Sequence, residues 1–339
     1  MNQIKPPSSH QNPDQHIKTL LTHPWYTVVS KLFSEILRLT HNFYSSEAIS
    51  ATIFPITTGS VSSPMGLGSD SLPVKATIKH TGLEVYLADS MQFSLELGAR
   101  LSERGAYYVM STFRGEEIDK RHLNEFVHSE AEIRGNLEDV IKLVERYIKF
   151  MTKGLLVSCE KEISSVAGSV DHLNNVLNKS FPRISFQEAI EELRMHEDAF
   201  EKLNTGDVNI TPKGEKILMK NHGEFLWLTH LPWGAVPFYQ SKFSENPKYS
   251  NTADLLAGIG EILGSGQRVY DGSDLDESLA THQVELHGYQ WYREMHEDYP
   301  MQTSGFGLGI ERYILWLLQH DDIRDCTLLL RDHKRVIFP

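Results

Sequence analysis

Gly305-Phe306-Gly307-Leu308-Gly309-Ile310-Glu311-Arg312, with Ile323-Arg324-Asp325 beyond it, is the stretch from which the chain is best read. Glycine at every second position strips one face of a strand of its Cβ atoms, so a planar ligand can lie flat on it. The run passes into a helix that opens Glu-Arg. An arginine there can grip a phosphate through its planar fork of donors. Close packing of backbone on backbone would produce the same spacing, so a second pattern is needed to decide.

That pattern lies at Tyr107 to Glu132. Two period-2 runs, 107–113 and 125–132, flank a charged loop and predict an antiparallel hairpin. Arg114 and Glu116 close the first strand and point to one face. An arginine beside a carboxylate suits a phosphate on one side and an amine on the other, and Phe126 on the second strand offers a ring for a nucleobase. A surface ion-pair ladder over a core phenylalanine is the plainer alternative.

The bulk properties narrow the field. The 339 residues are 40% hydrophobic and 23% charged, the composition of an ordinary soluble protein with one large domain or two. No apolar run approaches the roughly 18 residues of a membrane span. Met1 to Gln15 is polar and proline-bearing, without the apolar centre of a signal peptide. Residues 1–24 are expected to be a disordered arm. Cys159 and Cys326 fit a reducing cytoplasm and have no metal-ligand spacing. A net charge of -12 argues against nonspecific nucleic-acid binding. The sixteen histidines form no zinc-ligand spacing.

Pro24 to Ser46 has helical apolar spacing (Val28, Val29, Leu32, Phe33, Ile36, Leu37). Ala51 to Thr57 reads as a strand interrupted by Pro55, and Thr58 to Ser71 as a loop. Short strands at 74–79 and 83–88 and a helix from Ser90 lead to the hairpin, and Asn136 to Met151 is a further helix. Residues 157–220 read as a mostly helical insertion without evident chemistry. Strands follow at 225–229, 237–241 and 255–270, then a helix from Leu275 to Tyr299. This order of elements predicts an α+β fold, an antiparallel sheet flanked by helices, rather than a doubly wound parallel one.

Together these motifs resemble the class II aminoacyl-tRNA synthetases, in the aspartyl/asparaginyl branch, over residues 25–339. Pro24–Thr57 looks like that class's motif 1. Phe113-Arg114-Gly115-Glu116 with Arg121-His122-Leu123 and Glu125-Phe126 looks like motif 2, and Gly305–Arg312 looks like motif 3. Ser90-Met91-Gln92, Phe181-Pro182-Arg183-Ile184, Pro237-Phe238-Tyr239 and Gly260-Glu261-Ile262 with Gly266-Gln267-Arg268 match the branch too. The resemblance implies a class II catalytic domain that is a homodimer and activates a carboxylate on ATP with Mg2+. It further implies that Arg114 and Arg312 are catalytic. Arg114 would hold the α-phosphate and the substrate carboxylate, Glu116 the adenine amine, and Phe126 and Arg312 the adenine faces, with Arg312 also near the γ-phosphate. Arg121 and His122 would belong to the ATP site, with His122 at the distal phosphates. Asp254 and Glu261 would be the magnesium carboxylates, Glu261 also in the ATP site; a solvated strand-end charge is the plain alternative for Asp254. Ser90, Gln92, Glu96 and Arg268 would bind the amino acid.

Two departures stand out. Members of the branch carry an N-terminal anticodon-binding barrel, whereas about 24 residues precede motif 1 here, so full-length tRNA binding is not expected. Met65-Gly66-Leu67-Gly68-Ser69-Asp70 with Leu72-Pro73-Val74-Lys75 instead resembles the archaeal asparagine synthetases related to the branch. Thr303 stands where the branch usually has a histidine.

Leu95 and Glu96 follow Gln92 in the asparaginyl pattern; aspartyl enzymes place a lysine at the first of these positions. A substrate β-carboxylate facing Glu96 would set like charges together in a partly dry pocket, at on the order of several kcal/mol. A carboxamide can donate to Glu96 and accept from Arg268, which favours asparagine over aspartate. In the plain alternative Glu96 pairs with Arg268 and the substrate lies elsewhere. The expected function is a cytoplasmic, ATP-dependent, AMP-forming ligase that passes the acyl group to a small amine instead of a tRNA end. Asparagine synthesis from aspartate and ammonia, aminoacylation of tRNA or of a carrier protein, and a catalytically dead amino-acid sensor are the alternatives. The retained arginines and carboxylates speak against the last.

Overall fold

The computed structural model describes residues 3–62, 72–203 and 206–331. The helices are α1 His16–Thr22, α2 Pro24–Ser46, α3 Gln92–Leu101, α4 Leu137–Ala167, α5 Asp171–Asn178, α6 Phe186–Leu193, α7 Pro212–His222, α8 Gly272–Thr281, α9 Gln290–Asp298 and α10 Ile310–Leu317. The strands are β1 Ser50–Ala51, β2 Thr57–Thr58, β3 Val74–Ile78, β4 Leu83–Leu87, β5 Gly105–Phe113, β6 Glu125–Arg134, β7 Arg183–Ser185, β8 Phe200–Lys202, β9 Val208–Ile210, β10 Leu226–Thr229, β11 Thr252–Ala257, β12 Gly260–Gln267 and β13 Thr303–Gly309.

Eight strands make the central sheet in the order β1-β5-β6-β13-β12-β11-β10-β7. Its interior pairings are antiparallel, and only the edge strands β1 and β7 pair in parallel. This is the α+β arrangement the order of elements predicted. The two faces divide by the pleat. On one, Ala131, Ala253, Leu255, Leu263, Phe306 and Leu308 join the apolar faces of α2 and α4 in the main core. On the other, β13 carries Gly305, Gly307 and Gly309 between His128, Glu130 and Glu132 of β6 and Gly264 and Gly266 of β12. Strand β11 adds Thr252 and Asp254 to the same rows.

Capping fixes where the helices begin. Asn136 opens α4 with a capping box to Asp139, and Ser185 opens α6 with one to Glu188. Helix α4 outruns its expected end because its apolar face continues through Leu155, Cys159, Ile163 and Val166. The helix expected over 275–299 is instead α8 and α9, separated after His282 where Gln283 takes a positive φ. The stretch 237–241 forms only an isolated bridge, Gln240 to Arg268.

Two expectations are corrected. The arm is ordered from residue 3. The Ile4 N–H donates to the Ser165 carbonyl at 2.8 Å, Ser9 Oγ lies 2.8 Å from His16 Nδ1, and His16 Nε2 lies 2.8 Å from the Leu328 carbonyl. Polar anchors of this kind leave no apolar periodicity to read. The segment 157–220 is also not a bystander. It supplies edge strand β7, and α6 and α7 cover the β10–β11 end of the sheet with their own core of Phe186, Leu193, Leu218, Leu226, Leu228 and Leu256.

Candidate functional site

A cleft of about 480 Å³ lies over the glycine face of the sheet. It is lined by Ser90, Gln92, Arg114, Arg121, His122, Phe126, Asp254, Glu261, Arg268 and Arg312, all singled out from sequence. The glycines do more than admit a flat ligand. A Cβ on Gly305 would collide with Glu132, Gln92 and Arg268, and one on Gly307 would lie 2.9 Å from Glu130 Oε1. The bare strand therefore also makes room for buried charged side chains beside it.

The hairpin loop delivers the cations. The Arg114 N–H donates to the Asn124 carbonyl and Asn124 Nδ2 to the Arg114 carbonyl, each at 2.9 Å. The Arg114 guanidinium carbon stands 5.4 Å from the Phe126 ring centroid. Asp119 Oδ1 accepts from the N–H groups of Arg121 and His122 at 2.7 and 2.8 Å, which curls the loop. Arg114 Nε and Arg121 Nε and Nη1 are buried without a hydrogen-bond partner among the described residues. Buried guanidinium nitrogens left open in this way suit an anion. Arg312 Nη1 donates to the Glu261 carbonyl at 2.6 Å. Burial lowers the Arg312 pKa, and the nearby Arg114 and Arg121 lower it further against the pull of Glu261. Burial and Arg312 likewise push His122 down.

Across the cleft stand the carboxylates. Asp254 pairs with Gly264 and Leu256 with Glu261, a register that slips at Leu255/Leu256. The bulge brings Glu261 to the Asp254 face although Glu261 and Gly264 are an odd number of residues apart. Burial raises the Asp254 carboxyl well above its ordinary value, with further push from Glu261 and Glu215. Such crowded hard oxygens fit a divalent cation such as Mg2+. Among the described residues no three such side chains converge on one point, so water and phosphate oxygens would complete the shell.

Sequence reasoning missed Glu130, Glu132 and Glu215. Ser90 Oγ donates to Glu130 Oε2 at 2.7 Å, and His128 Nδ1 lies 2.8 Å from Glu130 Oε1. Burial pushes Glu130 up, but His128 and the hydrogen bonds outweigh it and hold the carboxyl below its usual value. Arg268 is fully buried; its Nη2 is 2.9 Å from Glu132 Oε2, and its Nη1 donates to Gln240 Oε1 at 2.9 Å. Burial raises Glu132 to about 7 despite Arg268. The alternating His128, Glu130, Glu132 in a central strand was the available signal, because a polar period-2 face there must line a cavity or be paired.

Two residues sit apart from their expected contacts. Glu96 does not line the cleft. Its Oε1 accepts from Tyr292 Oη at 2.5 Å, and its Oε2 lies 3.1 Å from His296 Nε2 and 3.6 Å from Arg100 Nη1. The direct partner of Arg268 is Glu132, so both the direct Glu96–substrate contact and the Glu96–Arg268 pair give way to Glu96 acting on Arg268 through its charge. Glu116 also lies outside the lining, its Oε1 accepting from the Leu72 N–H at 2.7 Å. Thr303 is buried at the start of β13, its carbonyl accepting from the Arg268 N–H at 2.9 Å. The stretch Met65–Asp70 lies outside the described residues.

The profile of the tRNA synthetases class II (D, K and N) matches residues 14–332. A protein named probable cytoplasmic asparagine–tRNA ligase from Encephalitozoon cuniculi (strain GB-M1) is 30% identical over 267 residues, 76% of this chain and 58% of that protein. The chain thus spans little more than half the length of that relative. The crystal structure of asparaginyl-tRNA synthetase from Pyrococcus horikoshii complexed with asparaginyl-adenylate superposes with a TM-score of 0.85 at 25% identity, over 96% of this chain and 75% of that one. The asparaginyl-tRNA synthetase of Entamoeba histolytica in complex with asparaginyl-adenylate has the same fold, at a TM-score of 0.81 and 23% identity over 99% and 73% of the two chains. Profile, relative and fold agree with the cleft built on Gly305–Arg312, and the chain belongs to the class II tRNA synthetases of the D, K and N group.

Proposed function

We propose that the chain activates an amino acid, asparagine in preference to aspartate, as its adenylate. A carboxylate oxygen of the amino acid bonds to the α-phosphorus of ATP, the bond from that phosphorus to the bridging oxygen breaks, and pyrophosphate leaves. The observation that carries this reading is the polarity of the cleft. Open arginine nitrogens of Arg114 and Arg121 line the cleft together with the carboxylate of Glu130, which stands beside the central glycine, Gly307. A zwitterion meeting a polyphosphate needs that pattern.

Arg114 and Arg312 neutralise charge at the reacting phosphate, and Arg121 and His122 take the distal phosphates. Phe126 gives the adenine a face, and Glu116, whose Oε1 accepts from the Leu72 N–H, would exchange that donor for the adenine amine. Asp254 and Glu261 would hold Mg2+, which supplies charge neutralisation on phosphate oxygens. Ser90 and Glu130 receive the α-amine, and Gln92 and Arg268 the side chain. Arg268 is backed by Glu132 directly and by Glu96 at longer range. Two buried carboxyl groups thus already stand by Arg268, and a neutral carboxamide fits beside them better than a further carboxylate.

The names of the relatives favour tRNA as the acyl acceptor. Amide formation with a small amine is a second reading, supported by Thr303 in place of the expected histidine. Incubation of the protein with ATP, Mg2+ and asparagine should give AMP and pyrophosphate when the acceptor is added, with tRNA and small amines in parallel arms. ADP as the nucleotide product would refute the adenylate route.

The same reading takes the chain as a cytoplasmic homodimer. Ile53 and Leu101 are 89% and 90% exposed, and α3 packs beside the segment Thr52–Phe54 through Gly98, so unpaired apolar side chains gather at one edge. Two free buried cysteines and the cytoplasmic relative support the location.

A further inference from the structure

Helix α7 carries a carboxylate into the cleft from the inserted segment. Thr211 starts the helix by accepting from the Gly214 N–H, with Pro212 at its first position. Leu218 and Met219 anchor it on the sheet beside Leu226, Leu228 and Leu256. Glu215, one turn in, lines the cleft, and its Oε2 lies 3.0 Å from Arg121 Nη2. Gly260 closes over the pair: a Cβ there would collide with both Glu215 Oε2 and Arg121 Nη2, and its φ is +139°. The remaining guanidinium nitrogens, Nε and Nη1, are the buried ones without a partner among the described residues.

We infer that Glu215 is a positioning residue for nucleotide binding: it holds Arg121 by one nitrogen and leaves the other two set for the phosphate oxygens of ATP. The inference rests on the activation reading and adds to it a residue from outside the three motifs. An arginine on a loop has several rotatable bonds, and fixing one nitrogen before the ligand arrives removes much of the ordering cost on binding. The carboxylate also offsets the crowding of Arg114, Arg121 and Arg312, the last of which already feels the other two. Gly260 and the buried end of α7 make the contact part of the fold and not a chance surface pair.

The test is the affinity of the full chain for ATP with Mg2+, measured by calorimetry, with melting temperature followed in parallel. Glu215→Ala should weaken ATP about tenfold, the worth of one charge-assisted hydrogen bond. Asparagine affinity should stay within about twofold of wild type, since a lost guanidinium contact at the phosphates does not reach Arg268. Glu215→Gln keeps the shape of the side chain but loses the charge that holds Arg121, and should weaken ATP about threefold; it carries the test if the alanine variant does not fold. Glu215→Ala/Arg121→Ala should bind no more weakly than Arg121→Ala alone. Unchanged ATP affinity in both Glu215 variants, or full additivity with Arg121→Ala, would overturn the inference while leaving the activation reading in place. A wild-type chain that binds no ATP overturns both.

Discussion

Replacing Glu132 by glutamine should stabilise the protein at neutral pH and damage its selectivity. Glu132 is fully buried, its oxygens 2.9 to 3.2 Å from Arg268 Nη2 and Nε. The simplest expectation for such a pair is that removing one partner costs about 3–5 kcal/mol. The environment says otherwise. Burial, with Glu96 adding to it against the attraction of Arg268, lifts the carboxyl from an ordinary 4.5 to about 7. A carboxyl whose value is raised in the folded state has its contribution fully present below the unfolded value and loses it as pH climbs through the folded one. The loss between pH 4.5 and 7 is about 3 kcal/mol. Glutamine mimics the protonated acid and does not titrate. Denaturant unfolding of wild type and Glu132→Gln across this range should show the variant gaining about 3 kcal/mol relative to wild type, with most of the change between pH 5 and 7. The same substitution removes the ionisable partner of Arg268, so discrimination against aspartate should fall above pH 7, where that carboxyl is ionised. A stability difference that is flat with pH, or one that moves toward the wild type as pH rises, would refute the reasoning and show Glu132 to be held ionised by Arg268.

Other perturbations reach other parts of the site. Gly305→Ala places a methyl against Glu132, Gln92 and Arg268, and should cost about 1–3 kcal/mol in stability and abolish asparagine binding; retained binding by calorimetry would contradict the crowding at that strand. Asp254→Asn removes one of the two carboxylates beside Gly264, and should make ATP affinity nearly independent of Mg2+ while the metal-free affinity is kept. Leu101→Glu puts a charge on the most exposed apolar side chain of α3, and should convert a dimer to monomers in sedimentation; an unchanged dimer would place the interface elsewhere.

The central strands and their chemistry were legible because both follow period 2. Alternating glycines marked β13, and the charged loop between two alternating runs marked β5–β6. Arg114, Arg121, His122, Phe126 and Arg312 meet in one cleft because each sits on or next to that hairpin or the terminal strand. What escaped depended on contacts between distant segments. The bulge that turns Glu261 toward Asp254 leaves no compositional trace, since any residue can occupy it. Glu215 looks like one more polar residue of a surface helix, and only the docking of α7 on the sheet brings it to Arg121. Glu96 was marked as a substrate contact, but Tyr292 and His296, from a helix almost two hundred residues away, take its oxygens. The arm at residues 3–24 holds by histidine and serine contacts to Tyr26 and Leu328, a pattern that composition reads as disorder.

Pyrophosphate exchange into ATP, run with each of the common amino acids, tests the central claim most directly. The cleft predicts exchange that depends on asparagine, with aspartate weaker by at least about tenfold, the scale on which one unpaired buried charge discriminates. Exchange with no amino acid would contradict activation itself, and exchange with aspartate in preference to asparagine would contradict the reading of the Arg268 pocket, with Glu132 and Glu96 buried beside it, as one for a neutral side chain.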